Sequence, residues 1–300
     1  MNRSLPAWLI GSLSFVAFIL NTAVHFPFLM AAALLRTVLP LPAVARACRH
    51  LAHAIGASWI GTNVRGLKAG GRIEWQVTQP DGLSMDAWYL VTCNHRSWVD
   101  IVVVQWLFNR RIPLLKFFLK KELFWVPVLG LCWWALEYPF MKRYPRAVLE
   151  KRPDLRGKDL ETARQACERF RQVPVSVLNF LEGTRFSPAK AARQQSPYAH
   201  LLLPRAGGVA QVVSSLGDRL RSWLDVTIVY PDGTPSFWDL ISGRIRRISV
   251  HVQELPVNAA WVGRDYDADP SFRAALQGFV SDLWAQKDAR IAGMLPAGAD

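Results

Sequence analysis

The sequence predicts an α/β protein, a central mixed sheet flanked by helices, preceded by a hydrophobic helical segment that anchors it to a membrane. Residues 5–35 contain no Asp, Glu, Lys or Arg, which indicates the anchor. Beyond them, short apolar runs typical of strands alternate with helical patterns, and this alternation indicates a sheet covered by helices. The 300 residues are enough for a substantial buried core. We therefore expect a membrane-anchoring segment at residues 1–45 and a folded domain at residues 46–300.

The hydrophobic segment is long enough to cross a bilayer, which takes about 20 apolar residues. Asn21, His25 and Pro27 interrupt its middle. Two interpretations are therefore open: one kinked transmembrane helix, or two short helices that enter and leave one leaflet. A buried hairpin in the protein core is the alternative without a membrane. No small-residue cleavage site lies near the end of the segment, so we expect no removed signal peptide.

Basic residues on the two sides of this segment predict its orientation. Arg36, Arg46 and Arg49 follow it, whereas Arg3 precedes it. By the positive-inside rule, the larger part of the chain then lies in the cytoplasm. We expect a protein of the inner, or cytoplasmic, membrane whose folded domain faces the cytoplasm.

Four strands and four helices are predicted in the folded domain from their local patterns. Apolar runs predict strands at residues 87–93, 175–181, 226–229 and 248–252. Helices are predicted at residues 97–108, 158–171 and 209–216, and from Asp269-Pro270 onward. The second helix is amphipathic, and the last has proline at a tolerated first-turn position.

The net charge of +13 calls for an anionic partner or surface. The sequence contains no zinc-finger pattern, RNA-binding signature or Gly-rich phosphate loop, so we expect no nucleic acid partner. Hydrophobic residues make up 51% of the chain and 13 are tryptophan, a residue that favours membrane interfaces. Anionic membrane lipid is therefore the predicted partner, while the sequence predicts no oligomeric state.

The four cysteines are far apart in sequence and form no Cys-x-x-Cys pair, so we expect reduced core residues and no disulfide framework. His50 and His53 have the spacing of a metal pair but lack further ligands nearby. Such a pair is usually one face of a helix, and we expect no metal site.

A polar cluster, Asn94-His95-Arg96-Ser97, lies between two apolar runs and is followed by Asp100. One interpretation is structural, since Ser97 and Asp100 have the spacing of a helix capping box. The other is a catalytic base, His95, with the carboxylate that orients it. The two are compatible. Five residues along one helix rotate the chain by about 500°, so the contact requires His95 in the loop before a helix that begins at Ser97.

A second cluster, Glu182-Gly183-Thr184-Arg185, ends a predicted strand. Strand ends of open α/β sheets are where binding sites collect. Gly183 permits a tight turn, and Arg185 offers a planar fork for a phosphate group. The alternative is that Arg185 only pairs with Glu182 or caps the turn.

The two clusters resemble blocks of the glycerolipid acyltransferase family, which includes 1-acylglycerol-3-phosphate and lysophospholipid acyltransferases. Residues 94–100 match its Asn-His-x4-Asp block and residues 182–185 its Glu-Gly-Thr-Arg block in full. Its second block resembles Phe140-Met141-Lys142-Arg143, where the lysine departs from the commoner choices, and its fourth resembles Leu203-Pro204. The stretches HRSWVD, LPRAGG, VTIVYPDG and FVSDLWAQKD further resemble the lysocardiolipin-acyltransferase-like subgroup.

This resemblance, which extends over residues 85–290, implies that residues 46–300 form an acyltransferase catalytic domain. His95 would take the proton from a free glycerol hydroxyl as that oxygen attacks an acyl thioester, and Asp100 would orient His95. The acceptor would be a lysophospholipid, 1-acylglycerol-3-phosphate above all. Acyl-CoA or acyl-carrier protein would be the co-substrate, with no other cofactor. The absence of a Gly-x-Ser-x-Gly elbow agrees with direct transfer.

The resemblance also implies which residues bind the acceptor. Arg143 and Arg185 would hold its phosphate, and Glu182 and Gly183 would shape its pocket. Thr184 of the Glu-Gly-Thr-Arg block and Pro204 of the fourth block are predicted to bind substrate as well.

Residues 112–141 contain four Phe and three Trp around a group of lysines. A helix pair that covers the core is one interpretation. We favour a surface that touches lipid and shapes a channel for the acyl chain. There Lys116, Lys120 and Lys121 would contact phosphate headgroups.

Two other functions are open alternatives to acyl transfer. A hydrolase would use the same chemistry with water in place of the glycerol hydroxyl. A membrane-anchored lipid-binding protein without activity would need a decayed site, and the complete Asn94–Asp100 and Glu182–Arg185 clusters argue against it.

Overall fold

The computed structural model describes residues 5–39, 41–70, 73–141 and 158–296. Its helices are α1 Ala7–Val38, α2 Pro42–Gly70, α3 Val99–Phe108, α4 Leu129–Ala135, α5 Lys158–Phe170, α6 Pro188–Gln194, α7 Gly207–Leu216, α8 Phe237–Ile241 and α9 Pro270–Met294. Its strands are β1 Glu74–Thr78, β2 Trp88–Cys93, β3 Leu115–Phe117, β4 Leu119–Lys120, β5 Phe140–Met141, β6 Ser176–Phe180, β7 Leu220–Val229 and β8 Arg247–Leu255. Short 3-10 helices lie at Lys121–Trp125 and Ala259–Trp261.

The central sheet is mixed and has six strands in the order β1-β8-β7-β2-β6-β3. Every neighbouring pair is parallel except the antiparallel pair of β7 and β8. The strands β4 and β5 form a separate parallel pair. The mixed sheet flanked by helices confirms the predicted α/β class.

Helices cover both faces of this sheet. The residues of β2 point alternately into the two cores that result. Leu90 lies in one core with α5, α7 and α9, whereas Tyr89 and Val91 lie in the other core with α3. A strand buried on both faces needs apolar residues at successive positions, which explains its unbroken apolar run.

The parallel register brings three strand ends to one edge of the sheet. Cys93, the last residue of β2, lies opposite Phe180 of β6 and Val226 of β7. The segments that follow these strands therefore emerge at the same edge, where ligands bind in open α/β sheets.

The hydrophobic segment is one continuous helix, so the interpretation as two short helices is wrong. It passes through Pro27 and pairs with α2. The polar residues that interrupt it face α2: Asn21 Nδ2 donates to the Trp59 carbonyl at 2.9 Å, and His25 Nε2 lies 3.2 Å from Ser58 Oγ. Because their polar groups are satisfied within the helix pair, they do not break α1.

The remaining surface of α1 is apolar and exposed. Trp8, Phe28 and Leu34 each keep more than 60% of their surface exposed. Within the described residues α1 is the one helix long and apolar enough to cross a membrane, and only 11% of its most apolar window is buried. That exposure argues against a buried core hairpin. The predicted boundary between residues 45 and 46 falls inside α2 and stays a prediction.

Residues 112–141 do not form a helix pair. They contain β3, β4, the first 3-10 helix, α4 and β5. Lys116 is buried, and its ammonium donates to the Leu136 carbonyl, so the predicted headgroup contact for Lys116 is wrong. Burial lowers the pKa of Lys116 to about 7. Lys120 and Lys121 are exposed as expected, and Trp125 keeps 78% of its surface exposed.

Candidate active site

His95 follows β2 and contacts Asp100 as the sequence predicts. Its Nδ1 lies 2.8 Å from Asp100 Oδ2. A carboxylate can only accept, so this contact places the proton of the neutral imidazole on Nδ1 and leaves the Nε2 lone pair available. The side chain of Asp100 is fully buried and that of His95 is 14% exposed. The pair therefore combines a partly exposed imidazole with a carboxylate shielded from water.

Asp100 is held by donors in addition to the imidazole. Its Oδ2 also accepts from the backbone N–H groups of Arg96 at 2.6 Å and Ser97 at 2.8 Å. Its Oδ1 accepts from the Tyr230 hydroxyl at 2.6 Å. Burial, and then the charge of Asp100, raise the pKa of Tyr230 well above its usual value, so this hydroxyl stays a donor. Tyr230 was not among the predicted site residues, and its only signal in the sequence is its place directly after a predicted strand.

The predicted capping box is only half formed. Asp100 accepts from the Ser97 backbone N–H, as the acidic residue of such a box does. The Ser97 hydroxyl accepts instead from the Val99 N–H at 3.1 Å and donates to the Pro235 carbonyl at 2.5 Å. Asp100 therefore serves the helix start and His95 with the same oxygen.

The histidine ring also packs against an aromatic ring that the sequence analysis did not single out. Its centroid lies 4.1 Å from that of Phe180, with the planes inclined by 21°. Phe180 is the last residue of β6, whose first three residues are buried in the sheet. Stacking and the Asp100 contact together fix the orientation of the imidazole.

Asn94, the first residue of the Asn94–Asp100 cluster, has a structural role. It is fully buried. Its Nδ2 donates to the Ile228 carbonyl at 2.9 Å, and its Oδ1 accepts from the Ile228 N–H at 2.8 Å. The side chain thus replaces one rung of the ladder between β2 and β7 and fixes the point where His95 leaves the sheet.

Glu182 lies two residues after the end of β6 and is fully buried. Its carboxylate accepts from the His95 N–H at 2.7 Å and from the Leu202 N–H at 3.0 Å. Burial raises the pKa of Glu182 to about 7, against the opposing effect of these two hydrogen bonds. The resemblance led us to expect Glu182 in the wall of the acceptor pocket. In the structure its carboxylate links the loop of His95 to the segment of Leu202 by hydrogen bonds.

Gly183 closes the turn after β6 with a φ of +66°, a conformation that favours glycine. Its N–H donates to the Phe180 carbonyl at 2.9 Å. Thr184 Oγ1 accepts from Lys190 Nζ at 2.9 Å, and the same ammonium donates to the Arg185 carbonyl at 2.7 Å. These contacts hold the backbone of the Glu-Gly-Thr-Arg segment and leave the Arg185 guanidinium uninvolved.

The Arg185 side chain is exposed, and its guanidinium lies 4.7 Å from the ring centroid of Trp98. Trp98 itself is 53% exposed. Within the part of the chain that the structure describes, no carboxylate forms an ion pair with Arg185, so the predicted alternative of a pair with Glu182 is not what the structure has. Arg185 therefore carries a positive charge with no carboxylate partner among the described residues, next to Trp98 in the segment that follows His95.

Pro204 and Arg143 are the remaining predicted substrate-binding residues. Pro204 is partly buried in the segment 201–206 that precedes α7. Arg143 lies outside the described residues, and its predicted role stays a prediction. Among the described residues no group of three or more His, Cys, Asp or Glu side chains is arranged to hold a metal ion.

Comparisons with known proteins show which family the chain is similar to. The Acyltransferase family model matches residues 74–236, more than half of the chain. The chain is 30% identical to 1-acyl-sn-glycerol-3-phosphate acyltransferase 2 of Brassica oleracea over 179 residues, which cover 55% of this chain and 43% of that protein. It is 25% identical to the human 1-acyl-sn-glycerol-3-phosphate acyltransferase delta over 207 residues, 61% of this chain and 52% of that one. The chain thus spans about half the length of these curated relatives.

The solved structure of the 1-acyl-sn-glycerophosphate (LPA) acyltransferase PlsC from Thermotoga maritima shares the fold. It superposes with a TM-score of 0.51 and covers 93% of this chain and 98% of its own. The sequence identity is 17%, so this likeness concerns the fold alone.

Proposed function

The chain belongs to the Acyltransferase family, and from that premise we propose that it transfers a fatty acyl chain from a thioester to the free hydroxyl of a lysophospholipid. The donor is acyl-CoA or acyl-carrier protein, and the acceptor is 1-acylglycerol-3-phosphate. The observation that carries this proposal is the 2.8 Å contact between His95 and the buried Asp100 at the ends of the parallel strands. The names of the relatives support the choice of acceptor.

The geometry supports a direct transfer. Nε2 of His95 takes the proton of the acceptor hydroxyl while the hydroxyl oxygen attacks the carbonyl carbon of the thioester. Asp100 stabilises the imidazolium that forms, because its charge is buried and already aligned with Nδ1. When the C–S bond breaks, the imidazolium returns the proton to the sulfur, and the products are the ester and the free thiol. The protein is unchanged at the end, as no covalent intermediate forms on it.

Arg185 binds the acceptor phosphate in this proposal. Its charge is exposed and has no carboxylate partner among the described residues, and Trp98 supports one face of the guanidinium. A planar fork supported on an aromatic ring suits two phosphate oxygens. Arg143 is proposed for the same phosphate from its position in the second family block.

We further propose that α1 attaches the protein to the membrane that contains its lipid substrate. The exposed apolar surface of α1 supports this, and α4, which packs against α1, adds the half-exposed Leu131 and Trp134. Lys120 and Lys121 lie beside that region and would contact anionic headgroups. The domain is expected to face the cytoplasm.

The test is thiol release from acyl-CoA and acyl-carrier protein by the purified protein in detergent micelles. Acyl transfer predicts release that depends on added 1-acylglycerol-3-phosphate, together with one phosphatidate formed per thiol. Release without acceptor would instead identify a thioester hydrolase. Absence of release with either donor, by protein that still binds lysolipid, would identify a lipid-binding protein.

A further inference from the structure

A second arginine reaches the Glu-Gly-Thr-Arg turn from another part of the chain. The Arg205 side chain lies over Gly183: a Cβ built on that glycine would be 3.4 Å from Arg205 Cδ and 3.6 Å from its Nε and Nη1. Because Gly183 has no side chain, the guanidinium lies close above the backbone of the turn. Arg205 is 22 residues beyond Gly183 in sequence, so only the fold brings them together.

The backbone around Arg205 is fixed to this turn by two hydrogen bonds. The Arg205 N–H donates to the Leu181 carbonyl at 2.8 Å, and the Leu202 N–H donates to Glu182 Oε2 at 3.0 Å. Glu182 in turn accepts from the N–H of His95 at 2.7 Å. The Cα of Arg205 is therefore held in a constant position relative to both the catalytic histidine and the turn.

The charge of Arg205 is uncompensated, like that of Arg185. Both side chains are exposed, and among the described residues neither forms an ion pair with a carboxylate. Other arginines of the domain do: Arg171, Arg247 and Arg264 lie within 3 Å of Asp218, Asp232 and Asp269 respectively. Two guanidinium groups without a carboxylate partner among the described residues thus belong to the Glu-Gly-Thr-Arg segment and the chain packed on it, where both raise the positive potential that an anion would meet.

We propose that Arg205 is a second binding residue for the acceptor, and that it acts with Arg185 to select a phosphate monoester over a phosphate diester. The proposal rests on the function proposed above and specifies its substrate class. A monoester carries up to two negative charges and three free oxygens, enough for two forked guanidinium groups. A diester carries one charge and two free oxygens, so it gains less from the second arginine.

The first experiment compares two acceptors with the same acyl chain, 1-acylglycerol-3-phosphate and lysophosphatidylglycerol, in wild type, Arg205→Gln and Arg205→Lys. We expect Arg205→Gln to raise the KM of the monoester about tenfold and that of the diester about twofold or less. The KM of acyl-CoA should stay the same, and Arg205→Lys should restore part of the loss because it keeps the charge without the fork. Arg221→Gln is the matched control. It alters an exposed arginine at the N-terminal end of β7, whereas the site lies at the C-terminal end of that strand.

Equal losses with the two acceptors, or a rise confined to the KM of acyl-CoA, would overturn the proposal. The acyl-CoA result also separates the acceptor from the 3′-phosphate of the donor, which is itself a monoester. Thermal unfolding of each variant identifies misfolding, and if Arg205→Gln does not fold, Arg205→Lys must lower the monoester preference by itself.

A binding measurement separates this proposal from the proposed function. We expect sn-glycerol 3-phosphate to bind the wild-type protein in calorimetric titration about tenfold more tightly than Arg205→Gln, and glycerol to bind neither. If wild type transfers no acyl chain and this difference persists, the acyltransferase proposal fails and the role of Arg205 stands. If wild type transfers acyl chains and the two proteins bind glycerol phosphate equally, Arg205 has no such role.

Discussion

Two adjoining regions of the site are built in opposite ways. In the catalytic cluster of His95, Asp100 and Tyr230, both aspartate oxygens accept hydrogen bonds from within the protein. In the arginine rim of Trp98, Arg185 and Arg205, the side chains are exposed and neither guanidinium has a carboxylate partner among the described residues. The hydrogen bonds of the cluster are complete within the protein, whereas in the proposed function an anion completes the rim. Changes in the first should therefore lower kcat, and changes in the second should raise an acceptor KM.

The largest expected effect is that of His95→Ala. Loss of a positioned general base lowers kcat roughly 10²–10⁴-fold, and no other described histidine contacts Asp100. Steady-state acyl transfer measures the loss, and His50→Ala, an exposed histidine on α2, is the control. A variant that kept more than a tenth of the wild-type rate would show that His95 is not the base.

Asp100→Asn should lower kcat nearly as much. The amide removes the charge that stabilises the imidazolium and offers one oxygen where the carboxylate offers two. We also expect a loss of stability on the order of 1–3 kcal/mol, because buried N–H groups lose their acceptor. Both quantities are measured on the same preparation, by kinetics and by thermal unfolding. A large loss of stability with a normal rate per folded molecule would mean that Asp100 only supports the helix start.

Arg185→Ala should act on the other region, with a rise of about ten- to a hundredfold in the acceptor KM and an unchanged KM for acyl-CoA. Arg185→Lys should rescue only part of it, since a point charge cannot make a forked contact. The effect should shrink for monoacylglycerol, which carries no phosphate. An equal penalty for both acceptors, with lower stability, would assign Arg185 a structural role instead.

Tyr230→Phe should give a smaller loss in the catalytic cluster, about tenfold in kcat. It leaves Asp100 Oδ1 buried without its 2.6 Å donor, which costs about 1–3 kcal/mol of stability. The acceptor KM should not change, because the hydroxyl lies behind the aspartate. If the KM of the acceptor rose while kcat stayed constant, the division between the two regions would be wrong.

The last prediction concerns how the stability of the protein depends on pH through Glu182. Its pKa of about 7 lies above the ordinary 4.5, so the folded protein holds this proton to a higher pH than the unfolded chain. The resulting stability is complete below about pH 4.5 and is lost as the pH rises through about 7. We expect the free energy of unfolding of wild type to fall more steeply between pH 5 and 7 than that of Glu182→Gln. Parallel curves in urea titrations at several pH values would contradict this.

Much of the fold followed from local sequence patterns. The predicted strand at 87–93 differs by one residue from β2 Trp88–Cys93, and the helix predicted at 209–216 is α7 Gly207–Leu216. The prediction missed β1, since its residues alternate between exposed and half-buried at the edge of the sheet and form no apolar run. It also missed α2, whose mixed composition gives no clear apolar stripe.

Within the site, the sequence by itself determined the pairing of His95 with Asp100 and the turn at Gly183, because both depend on residues a few positions apart. Tertiary structure decided the rest. Tyr230 reaches Asp100 from 130 residues away, and Glu182 reaches His95 across 87. Such contacts follow from the register of β2, β6 and β7, which no local pattern specifies. The burial of Lys116 and the position of Arg205 over Gly183 have the same physical reason: a side chain's neighbours are set by how distant segments pack.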